Sequence, residues 1–191
     1  MPQVDGWTRC GWATSAPEYV AYHDDEWGRQ LRGDREMFER MSLEAFQSGL
    51  SWLTILRKRD AFRSAFDGFD HDLVAAYDES DVARLLADAS IVRNRSKIEA
   101  TINNARVISE MDESFSDLLW SFAPEPGTTP APRSLSDVPA ITPESSAMAK
   151  ALKKRGYRFV GPTTAYALMQ ATGMVNDHVE ECWVRKLVDA G

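Results

Sequence analysis

The sequence predicts a mainly α-helical fold of about seven or eight helices, and three observations support this. Apolar residues recur at intervals of three and four along several segments, which is typical of helices that bury one face. Alternation with a period of two is nearly absent, and residues 157–160 are the best short candidate for a strand. Residues 123–143 hold six of the nine prolines and predict an irregular loop. The 191 residues, 43% of them hydrophobic, suit a single domain, residues 1–191, with two helical lobes around one core.

The first half of the chain predicts four helices after an N-terminal segment, residues 1–33, with little helical periodicity. Their start and stop signals are capping side chains, glycines and apolar repeats. The expected helices are residues 35–47 with Asp34 as cap and Gly49 as stop, residues 51–66, a short helix capped by Ser80, and the apolar repeat over residues 98–108.

The second half predicts three more helices. A proline directly after a capping residue or a glycine is typical of a helix N-terminus, and a later glycine of its end. The last helix is expected to begin near Asn176 or Asp177 and to carry His178 and Cys182. The two helices before it are expected from Thr142-Pro143 to Gly156, and from Gly161-Pro162 to Gly173.

The charge of the whole chain, −7, argues against a generally basic nucleic-acid binder. By position, however, three basic islands stand out: residues 55–66 (+3), 91–107 (+3) and 148–160 (+5). Each island alone is typical of a solvated face, but together they would suit a polyanion. No stretch approaches 18 apolar residues and residues 1–20 lack a signal-peptide core, so we expect a cytoplasmic protein without a membrane span.

A hairpin between two helices, about residues 80–108, offers a more specific nucleic-acid signal. Its turn carries basic residues, and its second helix opens with backbone amides and the positive end of its dipole, which suits a phosphate. Ser90 occupies a position where such hairpins prefer glycine. We expect Arg93, Arg95 and Lys97 to contact the phosphates of a nucleic-acid backbone.

Two cysteines and two histidines could form one metal site: Cys10 and His23 near the start, His178 and Cys182 near the end. Residues four apart on a helix share a face, and zinc accepts two thiolates and two imidazoles in a closed tetrahedron. Two buried free cysteines with two hydrogen-bonded histidines would explain the same residues equally well. The remaining histidine, His71, is expected at the surface or at a helix cap.

Longer strings covering residues 9–183 resemble the 3-methyladenine DNA glycosylase I family, a bacterial branch of the helix-hairpin-helix DNA glycosylases. The strings are RCGW, YVAYHDDEWG, LEAFQSGLSW, IVRNRSKI, LLWSF and the segment from residue 150 to residue 182. The resemblance implies a helix-hairpin-helix glycosylase fold with a zinc site that joins the N- and C-terminal segments, residues 10–23 and 178–182.

The resemblance also implies an activity and a set of site residues. The chain would hydrolyse the N-glycosidic bond of 3-methyladenine in double-stranded alkylated DNA and leave an abasic site. One structural zinc would be held by Cys10, His23, His178 and Cys182. Glu44 would bind the lesion as the catalytic carboxylate. The base pocket would be formed by Trp12, Tyr19, Tyr22, Trp27 and Trp52.

These residue types suit the chemistry of a cationic base. A flipped base needs flat partners, and electron-rich rings favour a positively charged purine over a neutral one. Glu44 would add charge attraction and accept from the exocyclic amine, while Tyr22 would donate to a ring nitrogen. Gly49 and Leu50 lie in the loop that the resemblance places at the gap left by the base. Asp112 and Glu113 are weak candidates for the aspartate that related glycosylases use after the hairpin.

Two other functions stay open from the sequence. A non-catalytic, zinc-stapled binder of damaged DNA would keep the hairpin and the pocket but release no base. A zinc hydrolase would need an open position on the metal, which a four-ligand set does not leave. The resemblance favours a monofunctional glycosylase, and we expect it to act as a monomer.

Overall fold

The fold of the chain is mainly α-helical, as expected. The computed structural model describes residues 3–4, 6–125 and 127–189. In that part of the chain a short antiparallel pair, β1 (Gln3–Val4) and β2 (Trp7–Thr8), precedes the helices. The helices are α1 (Pro17–Asp25), α2 (Asp34–Gln47), α3 (Trp52–Ala65), α4 (His71–Ala75), α5 (Glu79–Ala87), α6 (Arg95–Ser109), α7 (Phe115–Trp120), α8 (Pro143–Lys154), α9 (Pro162–Ala171) and α10 (Trp183–Asp189).

Three short helices, α1, α4 and α7, lie where the sequence analysis predicts no helix. The presence of α1 shows that the expectation of little helix before residue 33 was wrong. Helix α1 starts at Pro17, whose fixed φ suits the first helical position. It is nine residues long, and its inward side carries Tyr22 and His23 rather than a stripe of aliphatic residues. A helix this short depends on tertiary contacts more than on periodicity.

Two of the expected caps are shifted. Gly33, and not Asp34, occupies the N-cap of α2, and the Asp34 carboxylate instead accepts hydrogen bonds from Ser114 Oγ and Ser116 N at the start of α7. Asp78, and not Ser80, caps α5 through a capping box. The Asp78 carboxylate accepts hydrogen bonds from two backbone amides, Ser80 N and Asp81 N, at the start of the helix.

The end of the chain departs furthest from the expectation. Residues 176–182 form turns, and α10 begins only at Trp183, so His178 and Cys182 do not share a helix. The turn is shaped by the hydrogen bond from Cys182 N to the Val179 carbonyl and by Val179 N pointing at Cys10 Sγ. Residues 157–160 form no strand in the part of the chain described.

The core positions these elements around two clusters of buried side chains. The larger cluster packs aromatic side chains of α2 and α3, including Phe46 and Phe62 with rings 4.6 Å apart, against α5, α6, α8 and α9. The smaller cluster contains Cys10, Cys182 and Val179 and joins the two ends of the chain. No helix among the described residues is long and apolar enough to cross a membrane.

Candidate active site

One cavity of about 390 Å³ gathers all six residues expected to bind the base. It opens between the N-terminal segment, α2, α3 and α9. Its lining comprises Trp12, Tyr19, Tyr22, Trp27, Glu44, Gln47, Trp52, Leu135, Val138, Ala167, Gln170 and Asp177. The sequence therefore found half of the lining, and that half contains all of the aromatic side chains.

The aromatic wall is built by rings that support one another. Trp12 packs edge-on against Tyr19 and against Trp27, with ring centroids 5.5 and 5.2 Å apart. Tyr22 lies 5.4 Å from Trp52. The Tyr19 hydroxyl accepts a hydrogen bond of 2.9 Å from Leu53 N, which fixes α1 to the start of α3. Edge-on packing holds each ring in place and leaves faces for a planar ligand.

Glu44 is the buried charge of this cavity. Its side chain is on α2, and the residue is only 6% exposed. Burial raises the pKa of Glu44 to about 7, and the nearby Arg40 guanidinium opposes that rise. No described residue donates a hydrogen bond to its carboxylate, so a ligand in the cavity that Glu44 lines can donate to it. A cation entering the cavity would favour the ionised form and gain direct charge attraction.

Two hydrogen-bond donors on the wall also lack a protein acceptor. The Trp52 Nε1–H group is buried and unpaired within the described part of the chain. Tyr22 accepts from Arg40 Nη1 at 2.6 Å, and burial raises its pKa above the ordinary value, so it keeps its proton. Unpaired buried donors are costly, and a ligand with acceptor atoms would remove that cost.

The sequence analysis missed the polar residues on the α9 side of the cavity. Asp177, 3% exposed, accepts from the Tyr166 hydroxyl at 2.6 Å and from Gln170 Nε2 at 2.8 Å, both at Oδ2. Spacing offered a signal here, because two polar residues four apart on one helix can reach the same partner. Asp112 and Glu113 are not among the residues that line the cavity, and Glu113 pairs with Arg155 on the surface.

The hairpin expected near residues 80–108 is present as α5, a turn over residues 88–94, and α6. The Asp88 carboxylate accepts from Ser90 N and Ser90 Oγ, which stabilises the turn without a glycine. Lys58 Nζ donates to the carbonyls of Ala89 and Ser90. Asn94 caps α6 through Lys97 N.

The three basic residues of the hairpin differ in exposure. Arg93 is exposed and has no ion-pair partner among the described residues, and Arg95 is exposed but pairs with Glu79 and Glu99. Lys97 is only 7% exposed, and its Nζ donates to the carbonyls of Phe46 and Ser48 at 2.8 and 2.6 Å. Lys97 therefore anchors the end of α2 to the hairpin and is not placed to contact a phosphate, which corrects the expectation for this residue.

The basic islands are also not equivalent. In residues 55–66 the arginines are largely neutralised by ion pairs: Arg57 with Glu18, Arg59 with Glu26, and Arg63 with Glu39. Lys150, Lys153 and Lys154 on α8 remain exposed. The island at residues 55–66 thus holds α3 to its neighbours more than it offers a field to a polyanion.

The four expected metal ligands converge at the two chain ends. All four are buried, and their ligand atoms lie within 4.8 Å of one another. Tetrahedral zinc, with Zn–S near 2.3 Å and Zn–N near 2.0–2.1 Å, needs ligand atoms about 3.3–3.8 Å apart. The contacts are Cys10 Sγ–His178 Nδ1 3.7 Å, Cys182 Sγ–His178 Nδ1 3.6 Å, Cys182 Sγ–His23 Nε2 3.4 Å and His23 Nε2–His178 Nδ1 3.2 Å.

The surroundings of the cluster suit a cation as well. His23 Nδ1 donates to Asp24 Oδ1 at 2.8 Å and His178 Nε2 to the Trp27 carbonyl at 3.0 Å, which turns the other ring nitrogens toward the cluster. The interaction between the two neighbouring thiols raises the pKa of Cys10 and lowers that of Cys182, and a metal ion would displace the protons that these side chains hold. These residues could hold a metal ion with no position open to water.

His71, outside this cluster, is the first residue of α4 and lies within 3.5 Å of Ser109 Oγ at the end of α6. His71 therefore connects α4 to α6 at the surface, and the N-cap of α4 is Asp70 rather than His71.

Comparisons with known proteins agree on one family. Residues 12–186 match the methyladenine glycosylase family. DNA-3-methyladenine glycosylase 1 of Escherichia coli (strain K12) is 48% identical over 177 residues, covering 91% of this chain and 95% of that protein.

Solved structures agree with the sequence comparison. A crystal structure of 3-methyladenine DNA glycosylase I superimposes with a TM-score of 0.89 at 47% identity, covering 92% of this chain and 98% of the other. A variant of 3-methyladenine DNA glycosylase I in complex with 3-methyladenine superimposes with a TM-score of 0.86 at 33% identity, covering 93% and 97%. The chain belongs to the methyladenine glycosylase family.

Proposed function

We propose that the chain is a monofunctional DNA glycosylase that hydrolyses the N-glycosidic bond of 3-methyladenine in double-stranded alkylated DNA. The observation that carries the proposal is the cavity itself, in which an aromatic wall surrounds one buried carboxylate, Glu44. The similarity to a glycosylase structure with bound 3-methyladenine supports the same substrate. We treat residues 1–191 as one glycosylase domain acting as a cytoplasmic monomer, and these three points stay predictions.

The cavity suits a base that has left the DNA stack. Flipping a nucleotide costs a few kcal/mol, and stacking on aromatic side chains returns about 1–3 kcal/mol per base. Trp12, Trp27 and Trp52 supply the stacking faces, with Tyr19 and Tyr22 between them. The volume of about 390 Å³ lies in the range of small-ligand pockets and leaves room for a purine.

Glu44 supplies the selectivity for a charged base. 3-Methyladenine in DNA carries a formal positive charge, whereas adenine does not. A carboxylate with a pKa near 7 pays a desolvation cost for ionisation, and a cationic base stacked on electron-rich rings removes that cost. Tyr22 and Trp52 present donors to the ring nitrogens of the same base.

The bond breaks with little need for an acid. Water attacks the C1′ carbon of the sugar, the C1′–N bond breaks, and its electron pair neutralises the positive charge of the purine. The base leaves as neutral 3-methyladenine, one water proton passes to solvent, and an abasic site remains. The work of the chain is to bind the flipped cation and exclude neutral bases, which makes Glu44 the catalytic residue of the proposal.

The hairpin of α5 and α6 would act as the helix-hairpin-helix motif expected at about residues 80–108 and would hold the DNA backbone. Arg93 is exposed in its turn, and Arg95 can exchange its two exposed carboxylate partners for a phosphate. In the loop between α2 and α3, Leu50 is 40% exposed beside Gly49, whose φ is +80°. Lys97 connects this loop to the hairpin through the Ser48 carbonyl. Leu50 would therefore be held at a fixed distance from the hairpin's contacts with the DNA backbone, where it could fill the gap left by the flipped base.

One structural zinc completes the proposal. Cys10, His23, His178 and Cys182 would hold it, and it would fix the segment that carries Trp12 and Trp27. Its chemistry would be purely structural because four protein ligands fill the tetrahedron.

The test is release of free 3-methyladenine from methylated duplex DNA, detected by chromatography and compared with mock-treated DNA. We expect the wild-type chain to release the base and to leave alkali-labile abasic sites. A non-catalytic binder of damaged DNA would retard the methylated duplex on a gel but release no base, and that outcome would overturn the proposal.

A further inference from the structure

Two polar side chains of the cavity, Gln170 and Asp177, take no part in the proposed bond cleavage. Both residues line the cavity that holds Glu44. Asp177 Oδ2 receives two hydrogen bonds, from Tyr166 and from Gln170 on one face of α9. A buried carboxylate with two donors on one oxygen is a rigid acceptor, because any rotation would break both contacts.

This arrangement decides which end of the Gln170 amide faces the cavity. A carboxylate only accepts hydrogen bonds, so the amide must turn its Nε2 toward Asp177 at 2.8 Å. The carbonyl oxygen, Oε1, is then the end left for the cavity. No described residue donates to it, so a ligand can take that position.

We infer that Asp177 orients Gln170 so that its carbonyl oxygen and the Glu44 carboxylate form an acceptor-only edge that selects a 6-amino purine over a 6-oxo purine. The inference rests on the proposed function and adds a specificity-determining residue to it. An exocyclic amine carries two N–H groups and can serve both acceptors. The O6 atom of a guanine lesion is itself an acceptor, so neither the Gln170 carbonyl oxygen nor the Glu44 carboxylate could form a hydrogen bond with it.

The energetic reason is asymmetric. A base with a matching donor gains a hydrogen bond, whereas a base with an acceptor leaves buried oxygens unpaired, and sites of this kind discriminate strongly. Gln47, on the α2 side of the cavity, has no side-chain partner among the described residues and its amide is not fixed in this way. Orientation by Asp177 is therefore what distinguishes Gln170 from the other glutamine of the cavity.

The experiment uses DNA treated with dimethyl sulfate, which carries both 3-methyladenine and 3-methylguanine, and measures the release of each base under single-turnover conditions. Gln170→Leu is expected to lower the 3-methyladenine to 3-methylguanine ratio about 10-fold. Asp177→Asn should lower it in the same direction, because an asparagine side chain can pair with either end of the Gln170 amide. Tyr166→Phe keeps the Gln170–Asp177 contact and should keep the ratio.

Two control measurements and one replacement variant separate the outcomes. Metal content and melting temperature show whether Asp177→Asn acts through the neighbouring His178, and Gln170→Met replaces Gln170→Leu if the branched side chain prevents folding. An equal fall for both bases, or an unchanged ratio, would overturn the inference while leaving the proposed function intact. Failure of the wild-type chain to release either base would overturn the proposed function itself.

Discussion

Arg40 donates a hydrogen bond of 2.6 Å from Nη1 to the Tyr22 hydroxyl, and it lies one helical turn before Glu44 on α2. One buried guanidinium thus acts on both functional groups of the cavity. It occupies an acceptor position of Tyr22, so the phenol proton must point elsewhere, and it opposes the rise in the pKa of Glu44. Arg40 is a positioning residue whose effect should be visible in the pH dependence of excision.

Arg40→Met should move the acidic limb of the excision rate to higher pH. Without the guanidinium the pKa of Glu44 rises above about 7, so a smaller fraction is ionised at neutral pH. We expect slower excision at pH 7 and recovery at pH 8–9, measured as single-turnover rates across pH. Arg40→Lys keeps the charge and should keep the wild-type profile. Identical profiles for all three proteins would contradict this role of Arg40.

Glu44→Gln should weaken function and strengthen the fold. Loss of a charge-assisted contact with the base is expected to slow excision roughly 10- to 100-fold. Because the folded pKa of Glu44 is raised to about 7, the wild-type fold loses stability as pH rises from about 4.5 through 7. The variant avoids this cost, so at pH 8 it should be more stable by roughly 3 kcal/mol.

Urea unfolding at pH 4 and pH 8 checks the stability arm of the Glu44→Gln prediction, and base release from methylated DNA checks the other. The gain should vanish at pH 4, where wild-type Glu44 is neutral in the folded chain and largely neutral in the unfolded one. Unchanged excision together with unchanged affinity for free 3-methyladenine would rule out the role of Glu44.

Cys182→Ser should lose the metal and melt at a lower temperature. A structural zinc contributes on the order of 10 kcal/mol to small zinc domains, and even a third of that would lower the Tm of this chain by roughly 10 °C. Elemental analysis and calorimetry measure the two effects. His71→Gln removes the one histidine outside the cluster and should keep both the metal and the Tm. Full zinc retention by Cys182→Ser would refute the ligand set.

Lys97 and Arg93 should behave differently although both belong to the basic hairpin. Lys97→Met leaves the Phe46 and Ser48 carbonyls without their donor, so we expect a loss of about 2–4 kcal/mol in stability. Arg93→Gln should leave the Tm unchanged and reduce the slope of log K against log salt for DNA binding by about 1. A reduced slope without destabilisation in Lys97→Met would show that Lys97 contacts DNA after all.

The periodicity of α6 already indicates that Lys97 is buried. On α6 the buried stripe includes Thr101, Ala105 and Ile108, and Lys97 lies four residues before Thr101 on the same stripe. Its position therefore indicated burial, while its charge indicated a phosphate. The aromatic residues of the cavity were predicted from the family resemblance, because residue type alone is equally typical of core packing. The cysteine–histidine set was suggested by residue type and spacing, and the resemblance selected the metal site over buried free cysteines.

Other features depended on side-chain conformation and could not be predicted. The spacing of His178 and Cys182 is compatible with a helix and with a turn, and the turn was set by contacts with Cys10, far away in sequence. The spacing of Tyr166 and Gln170 indicates that they share one face of α9, but it does not identify Asp177 as the partner that both side chains reach. Residues that make long-range contacts of this kind look like any other polar residues in the sequence.

The contact between His178 and Trp27 has a thermodynamic consequence. His178 belongs to the metal cluster, and its ring packs 4.6 Å from the Trp27 ring while its Nε2 donates to the Trp27 carbonyl. A cation bound by His178 and a purine stacked on Trp27 would thus be coupled through the contact between these two residues. Linkage is reciprocal, so whatever factor the ion adds to the affinity for the base, the base must return to the affinity for the ion.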